Sequence, residues 1–123
     1  MNWNLWLDDE RDPEVFLRVR PSGIMTFEDF RPYVDEGFSA DSFVWCKTVA
    51  EAIEAVQRKG TPSFMALDHD LGENTDVFDF LSWLTQDHLK EAKAPSFRCH
   101  SSNPTGRQNV KFYLQSWNRS RSL

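Results

Sequence analysis

Three short polar stretches carry most of the groups able to hold a cation or move a proton: Asp8-Asp9, Asp68-His69-Asp70 and His100-Ser101-Ser102-Asn103. Each directly follows an apolar run. If those runs are neighbouring strands, about 4.8 Å apart, the acids at their ends crowd within a few ångströms of one another. Crowded carboxylates need either a divalent cation or one protonated carboxyl, since close like charges raise a pKa. Magnesium takes one or two carboxylates plus phosphate oxygens and keeps several waters, which suits a loose acidic loop. Asp8, Asp9, Asp68 and Asp70 are the candidate ligands, and Mg2+ or Mn2+ the expected cation. A solvated strand end with helix capping is the plainer alternative.

His69 lies between carboxylates that favour imidazolium, a form able to protonate a leaving alkoxide. His100 reads in the same way, and for both the plain alternative is a turn histidine bonded to backbone. His88, near the polar end of a helical stretch, reads as surface. The segment Ser101-Ser102-Asn103-Pro104-Thr105-Gly106 opens the last helical pattern, where free backbone amides and the positive end of a helix dipole favour an anion. Ser101, Ser102, Asn103 and Gly106 are therefore candidate phosphate-binding residues, with capping by Asn103 or Thr105 as a role that does not exclude the first.

The elements that must position these groups are legible from periodicity. Trp3-Asn4-Leu5-Trp6-Leu7, Phe43-Val44-Trp45-Cys46, Ser63-Phe64-Met65-Ala66-Leu67 and Ser96-Phe97-Arg98-Cys99 are short apolar runs that suit buried strands. Val49, Ala52, Ile53 and Val56 follow helical spacing after a Thr48/Glu51 capping signature, and Gly60 with Pro62 stops them. Val77, Phe80, Leu81 and Leu84 repeat the spacing behind Thr75 or Asp76, and Val110, Tyr113, Leu114 and Trp117 mark a last helix. From Pro13 to Ser42 the pattern is poor; Thr26 to Asp29 suits the start of a short helix that Pro32 interrupts. Strand and helix otherwise alternate, as in an α/β fold with a mainly parallel sheet. Ligands of such sheets bind beyond the carboxyl ends of the strands, where all the candidate residues fall.

Composition narrows the classes. A chain of 123 residues with 40% hydrophobic and 27% charged residues suits one globular domain over residues 1–123. A net charge of −5 opposes binding of long nucleic acid by general electrostatics, while a local site for a small phosphate stays open. The basic end, Arg119 to Arg121, reads as a solvated, frayed terminus. Cys46 and Cys99 form neither a CxxC pair nor a disulfide framework and read as core thiols of a reducing cytoplasm. The acidic N-terminal stretch is unlike a signal peptide, and no run reaches about 18 apolar residues, so neither secretion nor membrane insertion is expected. The five tryptophans read as core.

Leu5-Trp6-Leu7-Asp8-Asp9-Glu10-Arg11-Asp12-Pro13, Leu67-Asp68-His69-Asp70-Leu71-Gly72 and His100-Ser101-Ser102-Asn103-Pro104-Thr105-Gly106, in that order, resemble the cyclic-phosphate processing receiver-like domain family. The family is similar to the receiver domains of two-component signalling. The resemblance implies a receiver-like (flavodoxin-like) three-layer α/β sandwich, here with a shortened four-stranded sheet in the order 2-1-3-4. In receivers, paired acids on the first strand and an aspartate on the third hold magnesium and accept a phosphoryl group; Asp8, Asp9 and Asp68 match those positions. The family's added histidines correspond to His69 and His100, and its inferred substrates are cyclic phosphates of nucleotides or RNA ends. Such domains occur in bacteria and their phages, so removal of a cyclic nucleotide immune signal in the cytoplasm is the setting implied. Only about 20 residues follow the fourth run, so a fifth strand and the receiver lysine it carries have no evident counterpart.

Three functions are compatible with these residues. The first is metal-assisted hydrolysis of a cyclic phosphodiester, with Asp68, His69 and His100 as the catalytic candidates and Asp68 either ligand or nucleophile. The second is a module that binds a nucleotide or a partner protein without turnover. The third is a divergent receiver phosphorylated on Asp68.

Overall fold

In a computed structural model of the chain, residues 3–14, 37–38, 40–69, 71, 76–100 and 104–121 are described. The expected helix near Thr26 lies outside them. Four strands form one sheet: β1 (Asn4–Leu7), β2 (Phe43–Cys46), β3 (Phe64–Leu67) and β4 (Ser96–Cys99). Their order is β2-β1-β3-β4, and every pair is parallel. This is the order and sense expected of a receiver-like fold. The strands begin one residue later than the apolar runs at Trp3 and Ser63, whose backbone groups bond each other instead, Ser63 N–H donating to the Trp3 carbonyl at 2.7 Å.

Register sorts the side chains onto two faces, because successive strand residues alternate. One face carries the rows Leu5, Val44, Met65, Phe97 and Leu7, Cys46, Leu67, Cys99. Against it pack α1 (Val49–Lys59), α2 (Val77–Trp83, continued by a π-helical turn through Leu89) and α3 (Pro104–Ser120), through Ala52, Val56, Phe80, Leu81, Leu84, Val110 and Leu114. These residues are the expected helical faces, and their burial forms an aliphatic core. The opposite face carries Asn4, Phe43, Phe64, Ser96 and then Trp6, Trp45, Ala66, Arg98. It is aromatic: Phe43 meets Trp6 edge-on at 5.1 Å, and Phe38 lies 4.5 Å from Phe64.

Local signals explain the helix ends. Thr48 Oγ1 accepts from Glu51 N–H at 3.1 Å, and Glu51 reaches back to the amide of Lys47, one residue earlier than a standard capping box. Gly60 ends α1 at φ +89°, a conformation that disfavours any side chain, with its N–H on the Val56 carbonyl. Of the two possible caps for α2, Asp76 takes the role, in a reciprocal box with Asp79. Pro104 opens α3, where its missing N–H costs nothing. Thr105 is therefore inside the helix and is not its cap; Asn103 lies outside the described residues.

Two surface expectations are corrected. The end of the chain is not frayed over Arg119 to Arg121: α3 runs to Ser120, and Arg121 stacks its guanidinium on Trp117 while donating to the Lys90 carbonyl. His88 is not plain surface either. It stacks on Trp83 at 5.6 Å and shares a 2.7 Å hydrogen bond with Thr61, tying the end of α2 to the loop after α1. Cys46 and Cys99 form no disulfide, as expected; burial and then Glu51 push Cys46 up to about 11. No helix of the described residues is long and apolar enough to cross a membrane.

Candidate functional site

The strand ladder continues one residue past the last strand positions. Asp8 N–H donates to the Cys46 carbonyl, Asp68 N–H to Leu7 and His100 N–H to Leu67, at 2.9–3.1 Å. By the alternation of the strands, Asp8, Asp68 and His100 therefore share the aromatic face with Trp6 and Ala66. This places an acid on each of the two central strands and a histidine on the outer one, all in one row.

Asp8 is the hub. Its Oδ1 accepts the backbone N–H groups of Glu10 and Arg11, each at 2.9 Å, in a turn that the sequence Asp8-Asp9-Glu10-Arg11 closes on itself. Its Oδ2 lies 2.8 Å from His100 Nε2 and 3.4 Å from Arg11 Nη1. The same Arg11 nitrogen is 3.4 Å from Asp68 Oδ2, so one guanidinium bridges the acids of β1 and β3. Burial raises the Asp8 pKa, but the His100 hydrogen bond and charge, together with the Arg11 and Glu10 amides, outweigh it and hold the carboxyl below its ordinary 3.8. Asp9 moves the other way: partial burial and the charges of Glu10 and Asp8 raise it.

Tryptophans shape this site from the aromatic face. The Trp6 indole, fully buried, stacks on His100 with centroids 4.7 Å apart and planes 23° apart. Ala66, beside Trp6 in its row and one strand nearer β4, is small enough to leave that space open. Trp6 Nε1 donates to the Arg11 carbonyl at 2.7 Å, and Trp45 Nε1 donates to the Asp8 carbonyl at 2.8 Å. Both ends of the Asp8–Arg11 turn are thus pinned to the sheet. Sequence reading assigned these tryptophans to the core and left Arg11 without a role. The signal for them was present in register: Trp6 is two residues before Asp8, on the same face.

His69 is set apart from His100. Its ring, half-buried, meets Phe78 edge-on at 5.9 Å and lies against Gly106 in the first turns of α3. A Cβ on Gly106 would fall 2.6 Å from His69 Cγ, so only glycine admits this ring. Gly106, expected to serve phosphate binding, has this steric role toward His69. Among the expected site residues, Asp8, Asp9, Asp68 and His100 come together, and His69 borders them at the start of α3. Asp70, Ser101, Ser102 and Asn103 lie outside the described residues.

Asp8, Asp9 and Asp68 each offer one oxygen within 4.8 Å of the others, close enough to share one cation. The donors are hard carboxylate oxygens, the set that suits magnesium or manganese. Arg11 already neutralises part of this charge, so a cation here shares Asp8 and Asp68 with the guanidinium or displaces it.

A sequence model described as the cyclic-phosphate processing receiver domain matches residues 3–116. No match is found among curated proteins. Among solved structures, a fusion built on the trimeric coiled coil of yeast Spc42 is similar, with a TM-score of 0.54 at 14% identity over 92% of this chain. The chain spans 63% of that structure's length, and at this identity the likeness concerns the fold alone.

Proposed function

The chain belongs to the family of cyclic-phosphate processing receiver domains, and from that premise we propose that its acidic strand ends hydrolyse a cyclic phosphodiester of a nucleotide or an RNA end. The observation that carries this reading is the convergence of Asp8, Asp9 and Asp68 on a point shared with Arg11 and His100. Asp8, Asp9 and Asp68 would hold a divalent cation, Mg2+ or Mn2+, which polarises a phosphate and acidifies water.

The chain's own residues have separable tasks. Asp68, buried to 4% exposure, fixes Arg11 in place together with Asp8; the guanidinium offers N–H donors to phosphate oxygens as they gain charge. His100, whose side chain is wholly buried between Asp8 and Trp6, orients Asp8. His69 is the solvent-reached histidine of the two and is assigned the proton donor's role. Water attacks phosphorus and gives up a proton to solvent, the bond from phosphorus to one ring oxygen breaks, and that oxygen takes the proton from His69 as the alcohol forms; solvent then reprotonates His69.

A second reading, a binding module without turnover, draws on a specific feature. Both oxygens of Asp8 are already engaged by donors, two amides on one and His100 with Arg11 on the other, close to the capacity of a carboxylate. The test is to incubate the protein with cyclic mononucleotides, cyclic oligonucleotides and 2′,3′-cyclic RNA ends, in Mg2+, Mn2+ or chelator, beside Asp68→Asn, and to identify products by mass. Metal-dependent ring opening lost in the variant supports the hydrolase. A ligand recovered intact and in stoichiometric amount supports the module.

A further inference from the structure

We propose that Arg11 is an exchangeable counter-ion of the acidic cluster: it gives up its place between Asp8 and Asp68 to the divalent cation, and its released guanidinium becomes the donor that holds the phosphate. This inference rests on the reading of Asp8, Asp9 and Asp68 as a cation site. Lone pairs decide which donor can leave. A carboxylate offers about four acceptor positions, two on each oxygen. On Asp8 they are taken: Oδ1 accepts the N–H groups of Glu10 and Arg11 at 2.9 Å, and Oδ2 meets His100 Nε2 at 2.8 Å and Arg11 Nη1 at 3.4 Å. A cation that takes Asp8 as a ligand must therefore replace one of these donors. The two amides belong to the Asp8–Arg11 turn and leave only if the turn opens. The His100 side chain is 0% exposed and has no room to withdraw, whereas that of Arg11 is 18% exposed.

Distances single out the same group. Charge-assisted N–H bonds to a carboxylate run at about 2.7–2.9 Å. The His100 contact meets that range, but Arg11 Nη1 stands 3.4 Å from both Asp8 Oδ2 and Asp68 Oδ2, one nitrogen stretched between two acids. The main chain of Arg11 is held firmly: its N–H donates to Asp8 Oδ1, and its carbonyl accepts from Trp6 Nε1 at 2.7 Å. Release of the guanidinium thus needs only rotation of the side chain between staggered rotamers, while the turn, Trp6 and His100 keep their places. By Coulomb's law a divalent ion about 2.1 Å from an oxygen attracts it about three times as strongly as a unit charge at 3.4 Å. Magnesium's reluctance to shed water offsets part of that gain, so the exchange is reversible. Because Arg11 stays tethered to the turn, a phosphate drawn to the cation also meets a guanidinium whose fork suits its oxygens. Cation loading and phosphate binding are then coupled through one residue.

The test follows Arg11 itself and does not depend on turnover. Magnesium chloride is titrated into the wild-type protein while the Arg11 Nε–H and Trp6 Nε1–H signals are followed by NMR. Calorimetry then gives the Mg2+ affinity of the wild type and of Arg11→Gln, and the affinity of each for inorganic phosphate at saturating Mg2+; thermal melts confirm that the variant is folded. The Arg11 signal should move to an exposed, rapidly exchanging position as Mg2+ saturates, while the Trp6 signal stays. Arg11→Gln should bind Mg2+ about tenfold more tightly, within the usual range of coupling between sites, and phosphate severalfold more weakly. An Arg11 signal unmoved at saturation overturns the exchange even where the variant gains affinity, because loss of a distant positive charge alone would produce that gain. Equal or weaker Mg2+ binding by the variant overturns it as well. Binding of Mg2+ by neither protein removes the cation site and the exchange together. Exchange with cyclic phosphates always recovered intact upholds the role of Arg11 and removes the hydrolase, and metal-dependent ring opening with the Arg11 signal unmoved does the reverse.

Discussion

His69 and His100 leave neighbouring strands at almost the same height, but the protein builds them differently. His100 is enclosed, with a carboxylate on Nε2 and an indole against its ring. His69 is half-buried, and its ring fills a space that exists because residue 106 has no side chain. The first arrangement fixes an orientation through directional bonds. The second leaves one side of the ring to solvent and fixes the other by contact. A histidine meant to steady a neighbouring carboxylate gains from the first, and one meant to exchange a proton with a ligand gains from the second.

The largest effect should follow removal of the bond that defines the enclosed histidine. Asp8→Ala leaves His100 and the amides of Glu10 and Arg11 without their acceptor and breaks a buried pair, an event that costs about 3–5 kcal/mol. Urea unfolding should show that loss, whereas His69→Ala, at a ring that is only half-buried, should cost less. Near-equal losses would erase the distinction between the two histidines.

Next in size is Gly106→Ala. Inserting a Cβ 2.6 Å from the His69 ring should cost about 1–3 kcal/mol as the ring or α3 gives way. Most of that cost should vanish in the His69→Ala background, because the clash is with that side chain. A double-mutant cycle with no coupling would show that the close approach does not hold His69.

The two acids beside His100 sharpen the comparison through pH. Asp8 titrates below its ordinary 3.8, so its ionisation stabilises the fold fully above pH 3.8, and the contribution disappears as pH falls through the folded value. Asp8→Asn should therefore flatten the stability profile below about pH 4. Asp9 titrates above its ordinary value, so at neutral pH its charge opposes folding. Asp9→Asn should raise the melting temperature slightly at pH 7 and reduce the rise that millimolar Mg2+ produces in the wild type. An unchanged response to Mg2+ would remove Asp9 from the cation site.

A control lies on the β2 side of the sheet, at the edge opposite β4 and His100. Thr48→Ala removes the cap of α1 and should cost about 1 kcal/mol with no change in ligand binding.

The elements were readable in the sequence because each carries one clear signal. The run Phe43 to Cys46 is a strand with those bounds, and Val49 to Val56 repeats at helical spacing behind a hydroxyl cap. The acids and histidines were readable for the same reason: they sit where apolar runs stop. What sequence could not supply was the partner of each group. Trp6 looks like any core aromatic until parallel register places it on the face of Asp8 and His100. Arg11 looks like a loop cation until the Asp8 turn folds its guanidinium between two strands. The two histidines both follow apolar runs, and what distinguishes them lies far away in the chain: Asp8 and Trp6 for His100, and a glycine 37 positions on for His69. Such pairings are long-range, and periodicity carries no information about them.

The central claim is that the acidic strand ends open a cyclic phosphate with water. The most direct measurement is hydrolysis of a 2′,3′-cyclic phosphate in 18O-labelled water, followed by mass spectrometry of the product, with wild type and Asp68→Asn compared at equal concentration. The account predicts one 18O atom in the phosphate of a ring-opened product from the wild type and none from the variant. Cyclic phosphate recovered unopened from both proteins, under conditions where the ligand is bound, would contradict it.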